Sequence, residues 1–387
     1  MKITVLGAGA IGTAVAHDLA HSDDVARVQV CEAQPITLRA FRRDHAHPRL
    51  RTYEADARDL QTLEPILAGS ACVVLCIGPE HNDRVARLAL DLGAHVVDLG
   101  SPTPIRAPGE PLDLLAERRQ RWVVTDCGLA PGLVGMLVMR GVRALDEARG
   151  ARVRVGDVPV EPDGPFRHRL GHSAERLLDD YTHPAHVLRD GQVETRAPMT
   201  GVETLDVEGF GEMEAFYTGG GLGPLAETLA GQLDRLDAKT IRYPGHAERM
   251  RFLLDLGLAD RTSLDVRTHL TYRDVLVRRL RQRLGGAYDD AVLLRVEVEG
   301  RRDGADGTLS YEIVDRYDQE TGLSAIQRCT GFPAAAAAVL LGQRGIPGGG
   351  VAAADQVLPV EAVVARLEAR GIRVHEAWRP ASVAEAA

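Results

Sequence analysis

The sequence has few cysteines, and no two of them form a CxxC pair. The five are scattered along 387 residues, at Cys31, Cys72, Cys76, Cys127 and Cys329. This odd, dispersed set fits neither a disulfide framework nor a structural zinc site, since both depend on closely spaced pairs. We therefore expect buried thiols in a reducing compartment.

Long apolar runs and an excess of positive charge are also missing. The longest uninterrupted apolar run covers residues 333–341, far short of the about 20 residues that span a bilayer. Lys and Arg number 46 against 55 Asp and Glu, a formal net charge of −9, which does not favour nucleic acid or an anionic membrane as partner. Since no signal-peptide pattern opens the chain, we expect a cytoplasmic protein with a small-molecule partner.

What is present is the composition of an ordinary soluble protein. Hydrophobic residues make up 45% and charged residues 26% of the chain. At about 100–200 residues per domain, this length predicts two to three domains, each with an adequate core.

The first 130 residues alternate strand-like runs with helical patterns. Strands are predicted at 2–6, 28–31, 50–55, 71–76, 95–99 and 122–125, with helices between them, notably at 11–21 and 82–92. Strands separated by helices indicate right-handed βαβ units. The fold class predicted for this part is therefore α/β, with a doubly wound parallel sheet of Rossmann type.

After Pro131 the pattern changes to strands joined by turns. Strands are predicted at 151–159, 203–207, 214–217, 240–243, 293–299 and 308–317, with helices at 224–236 and 247–256. This pattern indicates a second, α+β domain with a mixed or antiparallel sheet. From residue 330 the chain becomes helical again, at 333–341 and 360–370.

A glycine motif follows the first predicted strand and opens the first predicted helix. It reads GxGxxG, and an acidic residue lies twenty positions beyond its last glycine. Strand, helix and spaced acid together favour a dinucleotide-binding loop over a mere tight turn, because glycines let the backbone approach a pyrophosphate at a helix N-terminus. The predicted cofactor-binding residues are Gly7, Gly9, Ala10, Ile11, Gly12 and Glu32, with Asp56 and Gly78 after later strands.

Glu32 bears on the choice of cofactor. A carboxylate at this position accepts hydrogen bonds from the adenosine ribose and repels a 2′-phosphate, so NAD is predicted rather than NADP. Three nearby arginines weaken that preference unless they form a solvated helix face: Arg39, Arg42 and Arg43. Asp56 is placed to approach the adenine, although a loop aspartate of this kind also forms ordinary turns.

Several segments resemble the saccharopine dehydrogenase family, and most closely its lysine 6-dehydrogenase branch. They are DCGLAPG at 126–132, GDVPV at 156–160, LLDDYTHP at 177–184, EAFYTGG at 214–220, KTIRYPGHAE at 239–248 and TGFP at 330–333. The resemblance implies a nucleotide domain built from residues 1–131 and 324–387, and a substrate and oligomerisation domain from 132–323. It also implies a homodimer or homotetramer formed through the middle sheet.

The resemblance further implies an activity. This is NAD-dependent oxidative deamination of the terminal amine of a basic amino acid, with L-lysine giving 2-aminoadipate 6-semialdehyde, which cyclises to piperideine-6-carboxylate. Gly135 and His172 stand where the family usually has other residues. They keep open a saccharopine- or carboxyspermidine-type enzyme acting on a secondary amine, and an NAD-sensing regulator without turnover is a further alternative.

Three residues are predicted to carry the chemistry. His246 follows a Pro-Gly turn and is the leading titratable group, because histidine exchanges protons near neutral pH; the alternative is a buried structural histidine. Tyr181 is predicted to bind a catalytic water or the α-ammonium group. Asp126 ends a predicted strand where nicotinamide sites form, or else caps the next helix.

The substrate carboxylate is predicted to lie against a glycine run. Gly219 and Gly220 begin this run, whose backbone amides could face an anion, unless the run is only a hinge. Arg242 is expected to clamp the same carboxylate, or else to pair at the surface. Thr218 and Asp180 complete the predicted substrate contacts.

No metal site is predicted. The histidines at 168, 172, 183 and 186 lie near two aspartates, but their spacing matches no ligand motif. Cys127, beside the APG turn, is expected to be a buried inert thiol rather than a reactive one.

Overall fold

The computed structural model describes residues 1–99, 111–171, 173–265, 269–286, 288–343 and 345–381. The chain divides into two compact units. The first, the nucleotide unit, combines Met1–Met139 with Gln327–Ile372; the second, the sheet unit, combines Arg140–Ile326 with the described residues from Arg373 onward.

Seven of the described strands form the parallel sheet of the nucleotide unit. In chain order they are Lys2–Leu6 (β1), Arg27–Glu32 (β2), Leu50–Glu54 (β3), Cys72–Leu75 (β4), His95–Asp98 (β5), Trp122–Thr125 (β6) and, near the C-terminus, Gly350–Ala353 (β15). Their order across the sheet is β15-β6-β5-β4-β1-β2-β3. This is the doubly wound order with one strand added beside β6, so the predicted fold class is confirmed.

Helices accompany these strands because the strands are apolar on both faces. All four residues of β4 are buried, for example, and both faces of such a strand need cover. The helices are Ala10–Ala20 (α1), Pro35–Asp44 (α2), Leu60–Leu67 (α3), Asn82–Asp91 (α4), Leu112–Arg119 (α5), Leu133–Ala144 (α6), Ala325–Gly342 (α11), Ala354–Val357 (α12) and Val360–Glu368 (α13).

The alanine-rich helix α11 packs closely against α1. A Cβ atom added at Gly331 would lie 2.8 Å from the Cβ of Ala14 and 3.2 Å from the carbonyl oxygen of Ile11. Small residues on both helices permit this approach. The return of the C-terminal segment therefore supports the helix that carries the glycine motif.

The sheet unit is built on long, mostly antiparallel strands. They are Glu147–Pro159 (β7), Ala185–Arg189 (β8), Gln192–Arg196 (β9), Glu203–Val207 (β10), Gly211–Tyr217 (β11), Arg235–Arg242 (β12), Asp290–Arg302 (β13), Ala305–Arg316 (β14) and His375–Pro380 (β16). The path is β10-β11-β12-β7-β13-β14-β16, and the β8–β9 hairpin joins the edge of β12. The β7–β12 pair is parallel, so the sheet is mixed, as predicted.

Helices accompany this mixed sheet. They are Ala174–Thr182 (α7), Leu225–Leu229 (α8), His246–Asp255 (α9) and Tyr272–Leu284 (α10). Apolar side chains of α7, α9 and α10 pack together around the buried rings of Tyr181 and Phe216. The predicted site residues of this unit lie at the edge of that core.

Three predictions differ from the structure. The helix predicted at 224–236 ends at Leu229, because the following residues turn and enter β12. The β8–β9 hairpin is absent from the prediction, since β9 is mostly polar and exposed and neither strand shows a clear alternation. The domain boundaries predicted at 131 and 324 lie eight residues from Met139 and three residues from Gln327, where the two segments of the nucleotide unit end and resume. The C-terminal strand β16, which the prediction assigns to the nucleotide unit, pairs instead with β14 of the sheet unit.

Within the described parts of the chain, no helix combines the length and apolar character needed to cross a membrane.

Candidate functional site

The glycine motif forms a tight turn between β1 and α1. Gly7 has a φ of +96°, and a Cβ atom there would lie 2.3 Å from the carbonyl oxygen of Cys76. A Cβ at Gly12 would lie 2.0 Å from the carbonyl oxygen of Gly7. At both positions the backbone itself excludes a side chain, so the turn depends on glycine.

Gly9 differs from its neighbours because the space beside it is open. A Cβ added there would meet no protein atom within 4 Å. Gly9 is the N-cap of α1 and offers no side chain to bond the first amides of the helix, which begins with the accessible residues Ala10 and Ile11. An open cradle facing free amides at a helix N-terminus fits a pyrophosphate.

The Glu32 carboxylate is held beside this turn. Its Oε2 atom accepts a hydrogen bond of 2.8 Å from the amide of Ala8, and its Oε1 atom one of 2.8 Å from the amide of Gln34. A carboxylate oxygen can accept more than one hydrogen bond, so ribose hydroxyls can still bind. The geometry fits the dinucleotide that the sequence predicts.

The other predicted cofactor residues have partners of their own. Asp56 binds the guanidinium of Arg58 at 2.6 Å, and this hydrogen bonding lowers the pKa of Asp56 to about 2. Gly78 precedes a 3-10 turn at Pro79–His81. Asp56 therefore takes part in a local turn, and its approach to the adenine stays a prediction.

The three arginines after Glu32 lie on α2. Arg42 donates to Thr52 Oγ1 at 2.6 Å, and Arg43 pairs with Asp44 at 2.7 Å, both at the surface. These contacts agree with a solvated helix face. Arg39 is exposed on the same helix.

Asp126 follows β6 directly, at the carboxyl edge of the parallel sheet that also carries the glycine turn. Its φ of +56° is rare for a residue with a side chain. Its Oδ2 accepts from Thr125 Oγ1 at 2.9 Å, and burial raises the pKa of this carboxyl group. A carboxyl group with a raised pKa at this edge is suited to accept a proton.

Sequence reasoning missed a polar pair beside Asp126. Asn82 Nδ2 donates to Asp98 Oδ1 at 2.9 Å, and the backbone of Asp98 accepts from the amide of Cys127 at 3.0 Å. Burial raises the pKa of the Cys127 thiol well above its ordinary value, so this cysteine is inert, as expected. The sequence contains a signal for this pair, because Asp98 is an acidic residue at the end of a buried strand.

In the sheet unit, three predicted residues meet in one buried hydrogen-bond chain. The hydroxyl of Tyr181 lies 2.9 Å from His246 Nε2 and accepts from Arg242 Nε at 3.1 Å. On its other side, His246 Nδ1 lies 2.9 Å from the carbonyl oxygen of Phe166. All three residues are at most 3% exposed.

The chain fixes the protonation state of the histidine. A carbonyl oxygen only accepts, so Nδ1 carries the hydrogen and Nε2 accepts from Tyr181. Burial, together with the positive charge of Arg242, lowers the pKa of His246 to about 3, and burial raises that of Tyr181 to about 12. This contradicts the expectation that His246 exchanges protons near neutral pH.

Arg242 also differs from its prediction. Its Nη1 atom lies 3.2 Å from Asp157 Oδ1 and donates to the carbonyl oxygen of Asp157 at 3.2 Å. The guanidinium therefore belongs to a buried ion pair, neither a surface pair nor a cation awaiting a substrate carboxylate. Asp157, on β7, was missed by sequence reasoning, although a charged residue in an apolar strand is a usable signal.

Glu214 is a second missed residue, and it positions the histidine. Its two carboxylate oxygens accept from the amides of Gly245 at 2.8 Å and Ala247 at 2.6 Å, on either side of His246. These amides lie at the start of α9, where a negative charge is favourable. Glu214 thus fixes the turn that directs His246 toward Tyr181.

The glycine run lies beside a half-buried ion pair of α7. The amide of Gly219 donates to the carbonyl oxygen of Asp180 at 2.8 Å, and Gly220 has a φ of +81°. A Cβ at Gly220 would lie 3.1 Å from Nη2 of Arg176, whose Nε pairs with Asp180 at 2.9 Å. Thr218 instead bonds Thr240, Oγ1 to Oγ1, at 2.7 Å.

Three further features of the sequence are the group of histidines, His172 and Gly135. Among the described residues, no group of three or more metal-ligating side chains is suitably placed for an ion. His172 lies outside the described residues. In the nucleotide unit, Gly135 faces Asp355, and a Cβ atom added at Gly135 would lie 3.7 Å from the Asp355 side chain.

The burial of neutral His246 predicts loss of stability on acidification. Because its pKa is about 3 when folded and about 6.5 when unfolded, the unfolded chain binds the extra proton between these values. The contribution is fully present above about pH 6.5 and falls toward pH 3, by about 1.4 kcal/mol per pH unit. Thermal unfolding of wild type and His246→Gln between pH 7 and 4.5 tests this. We expect a shallower decline in the variant, and equal slopes would contradict a buried neutral histidine.

Comparison with known proteins agrees with this geometry. The family profile described as the saccharopine dehydrogenase NADP binding domain matches residues 3–123, and that of the saccharopine dehydrogenase C-terminal domain matches residues 128–372. The expectation of a nicotinamide dinucleotide as cofactor is thereby confirmed.

Two solved structures share the fold over nearly the whole chain. Apo saccharopine dehydrogenase (L-Glu forming) from Saccharomyces cerevisiae has a TM-score of 0.80 and 18% identity, covering 98% of this chain and 99% of that one. Homospermidine synthase from Legionella pneumophila, in complex with NAD, has a TM-score of 0.68 and 14% identity, covering 98% and 91%.

Proposed function

This chain belongs to the saccharopine dehydrogenase family and is an NAD(P)-dependent oxidoreductase, and from that premise we propose that it oxidises the terminal amine of L-lysine with NAD. The observation that carries the substrate proposal is the Arg176–Asp180 pair beside the glycine run. An α-amino acid carries one carboxylate and one ammonium group, and this pair presents one cation and one anion. Both side chains are partly exposed, unlike Arg242.

The proposed binding mode assigns each group of the substrate a partner. The α-carboxylate binds the Arg176 guanidinium and the backbone of Gly220, and the α-ammonium binds the Asp180 carboxylate. Charge-assisted hydrogen bonds of this kind are the strongest available at a partly exposed site. The flexible side chain is thereby held at one end while its amine reacts at the other.

The proposed reaction is an oxidative deamination. When bound, NAD⁺ would supply the hydride acceptor, and loss of a hydride from the amine-bearing carbon of lysine would leave a protonated imine. Water adds to the imine carbon, the carbon–nitrogen bond breaks, and the products are the semialdehyde and ammonium. The amine must first be neutral, because a protonated amine has no lone pair to stabilise the carbon that loses the hydride.

The remaining residues bind the cofactor or hold other side chains in place. Gly7, Gly9 and Gly12 shape the turn that receives the dinucleotide, and Glu32 holds its ribose. In the sheet unit, the chain from Arg242 through Tyr181 to His246 is a fixed hydrogen-bond array in which the tyrosine and the histidine are uncharged. In this proposal it shapes the sheet unit and does not titrate during turnover.

Glu32→Ser is expected to relax the preference for NAD. Serine removes the charge that repels a 2′-phosphate and the acceptor for the ribose hydroxyls, so NADP binding should strengthen and NAD binding should weaken by about tenfold. Calorimetric titration of both cofactors measures this. Glu54→Ser, at the end of the next strand, is the matched control. Equal affinity of wild type for NAD and NADP would contradict the role of Glu32.

Arg176→Gln is expected to raise KM for lysine by about ten- to a hundredfold, since a lost charge-assisted contact costs about 1.5–3 kcal/mol. The KM for 1,5-diaminopentane, which has no carboxylate, should stay unchanged, and Arg176→Lys should recover part of the loss. Steady-state kinetics with lysine and with 1,5-diaminopentane measure the two KM values in wild type and variants. Equal weakening of both would place the carboxylate elsewhere.

The experiment that tests the activity is a screen for NADH formation with lysine, ornithine, diamines and saccharopine. We expect turnover with lysine to be fastest. Turnover with saccharopine alone would favour an enzyme acting on a secondary amine. Absence of turnover with every compound, despite NAD binding, would favour a regulator that senses NAD.

A further inference from the structure

A cavity lies in the sheet unit, and none of its lining residues is among those proposed to bind lysine. It has a volume of about 320 Å³ and lies between the β8–β9 hairpin and the first halves of β7 and β12. Four arginines line it, Arg152 on β7, Arg189 and Arg196 on the hairpin, and Arg235 on β12, with Tyr217 as an aromatic wall. Its size is at the lower end of the range for small-molecule sites.

The carboxylates that line the cavity already have arginine partners. Glu299 bridges Arg152 at 2.9 Å and Arg235 at 3.3 Å, and Arg152 also lies 3.7 Å from Glu297. Asp237 is paired with Arg154, which does not line the cavity. Among the residues that line the cavity, four guanidinium groups therefore stand against two carboxylates, on a chain whose formal charge is −9.

The hairpin adds to this excess. Arg189 is exposed and forms no ion pair with any residue that the structure describes, whereas Arg196 pairs with Glu194 at 2.8 Å. The backbone of Arg189 is opposite Arg235 in the β8–β12 register, so the two guanidinium groups start from paired positions. Neighbouring guanidinium groups repel each other unless an anion lies between them.

We propose that this cavity binds a small polyanion with at least two phosphate groups. Guanidinium forks match phosphate oxygens in pairs, and the excess of arginine over carboxylate calls for more than one negative charge on the ligand. The volume exceeds that of a single phosphate group and admits two or three. The apolar side chains of Val187, Leu188 and Leu236 lower the local dielectric and strengthen the attraction.

Binding is expected to order the hairpin. Strand β8 joins β12 through only two residue pairs, Arg235 with Arg189 and Leu236 with Leu188. A polyanion held by Arg189 and Arg235 together would bridge this short junction. Amides of β8 and β9 should then exchange with deuterium more slowly, a readout independent of catalysis.

The test is calorimetric titration of pyrophosphate into the full chain already saturated with NAD, which keeps the probe from the glycine turn. We expect one site, weakened about tenfold in Arg189→Gln and in Arg235→Gln, and unchanged in the control Arg279→Gln on α10. Slower exchange of β8 and β9 should accompany binding. No binding in the presence of NAD, or equal binding in wild type and both cavity variants, would overturn the proposal.

Discussion

Arg242→Met is expected to destabilise the protein by about 3–5 kcal/mol, because it leaves the buried Asp157 carboxylate without its counter-charge. The two side chains are 4% and 6% exposed and 3.2 Å apart. Methionine is similar in length and fills the space, so the loss reflects charge more than a cavity. Urea denaturation of wild type and variant measures the free energy of unfolding.

A matched control and a double variant make this expectation specific. Arg169→Met breaks an exposed pair with Asp163 at 2.6 Å and should cost less than about 1 kcal/mol. Replacing both partners, as in Arg242→Met with Asp157→Leu, should recover much of the lost stability, since a buried pair can be exchanged for apolar residues. A loss in Arg242→Met no larger than that in Arg169→Met would contradict the buried ion pair.

Gly9→Ala is expected to weaken NAD binding by about a hundredfold while leaving the melting temperature nearly unchanged. The added methyl group meets no protein atom within 4 Å, so the turn can fold around it. The space that it fills is the space assigned to the pyrophosphate, whose contacts with the first amides of α1 would be lost. Calorimetry with NAD and thermal unfolding together measure the two effects.

Two other glycine variants frame this result. In Gly12→Ala the methyl group would meet the carbonyl oxygen of Gly7, so stability and binding should both fall. Gly345→Ala, also in open space but far along the chain, should change neither. If Gly9→Ala bound NAD as tightly as wild type, the pyrophosphate would have to lie elsewhere.

The nucleotide unit was predictable because its signals are local. Val-rich strands, helices of regular spacing and the glycine motif each reflect neighbours within a few residues. Glu32 was found from its spacing to Gly12, and the structure places its carboxylate on the amide of Ala8, beside the turn. The parallel sheet then brings Asp126 to the same edge without further information.

The sheet unit was less predictable because its contacts are distant in sequence. Asp157 and Arg242 are 85 positions apart, and Tyr181 and His246 are 65 apart. No local pattern shows that four polar side chains will share one buried chain, so Arg242 was assigned to the substrate and His246 to proton exchange. Arg176 was missed for the same reason, since only the fold brings it beside Gly220.

The most direct measurement follows the hydrogen that leaves the substrate. The enzyme is incubated with NAD and L-lysine carrying deuterium on its terminal amine-bearing carbon, and the reduced cofactor is analysed by mass spectrometry. We expect NADH that contains one deuterium atom, with one equivalent of ammonium released. Failure to form NADH from lysine, with deuterated NADH formed instead from saccharopine labelled at the corresponding carbon, would contradict the proposed substrate.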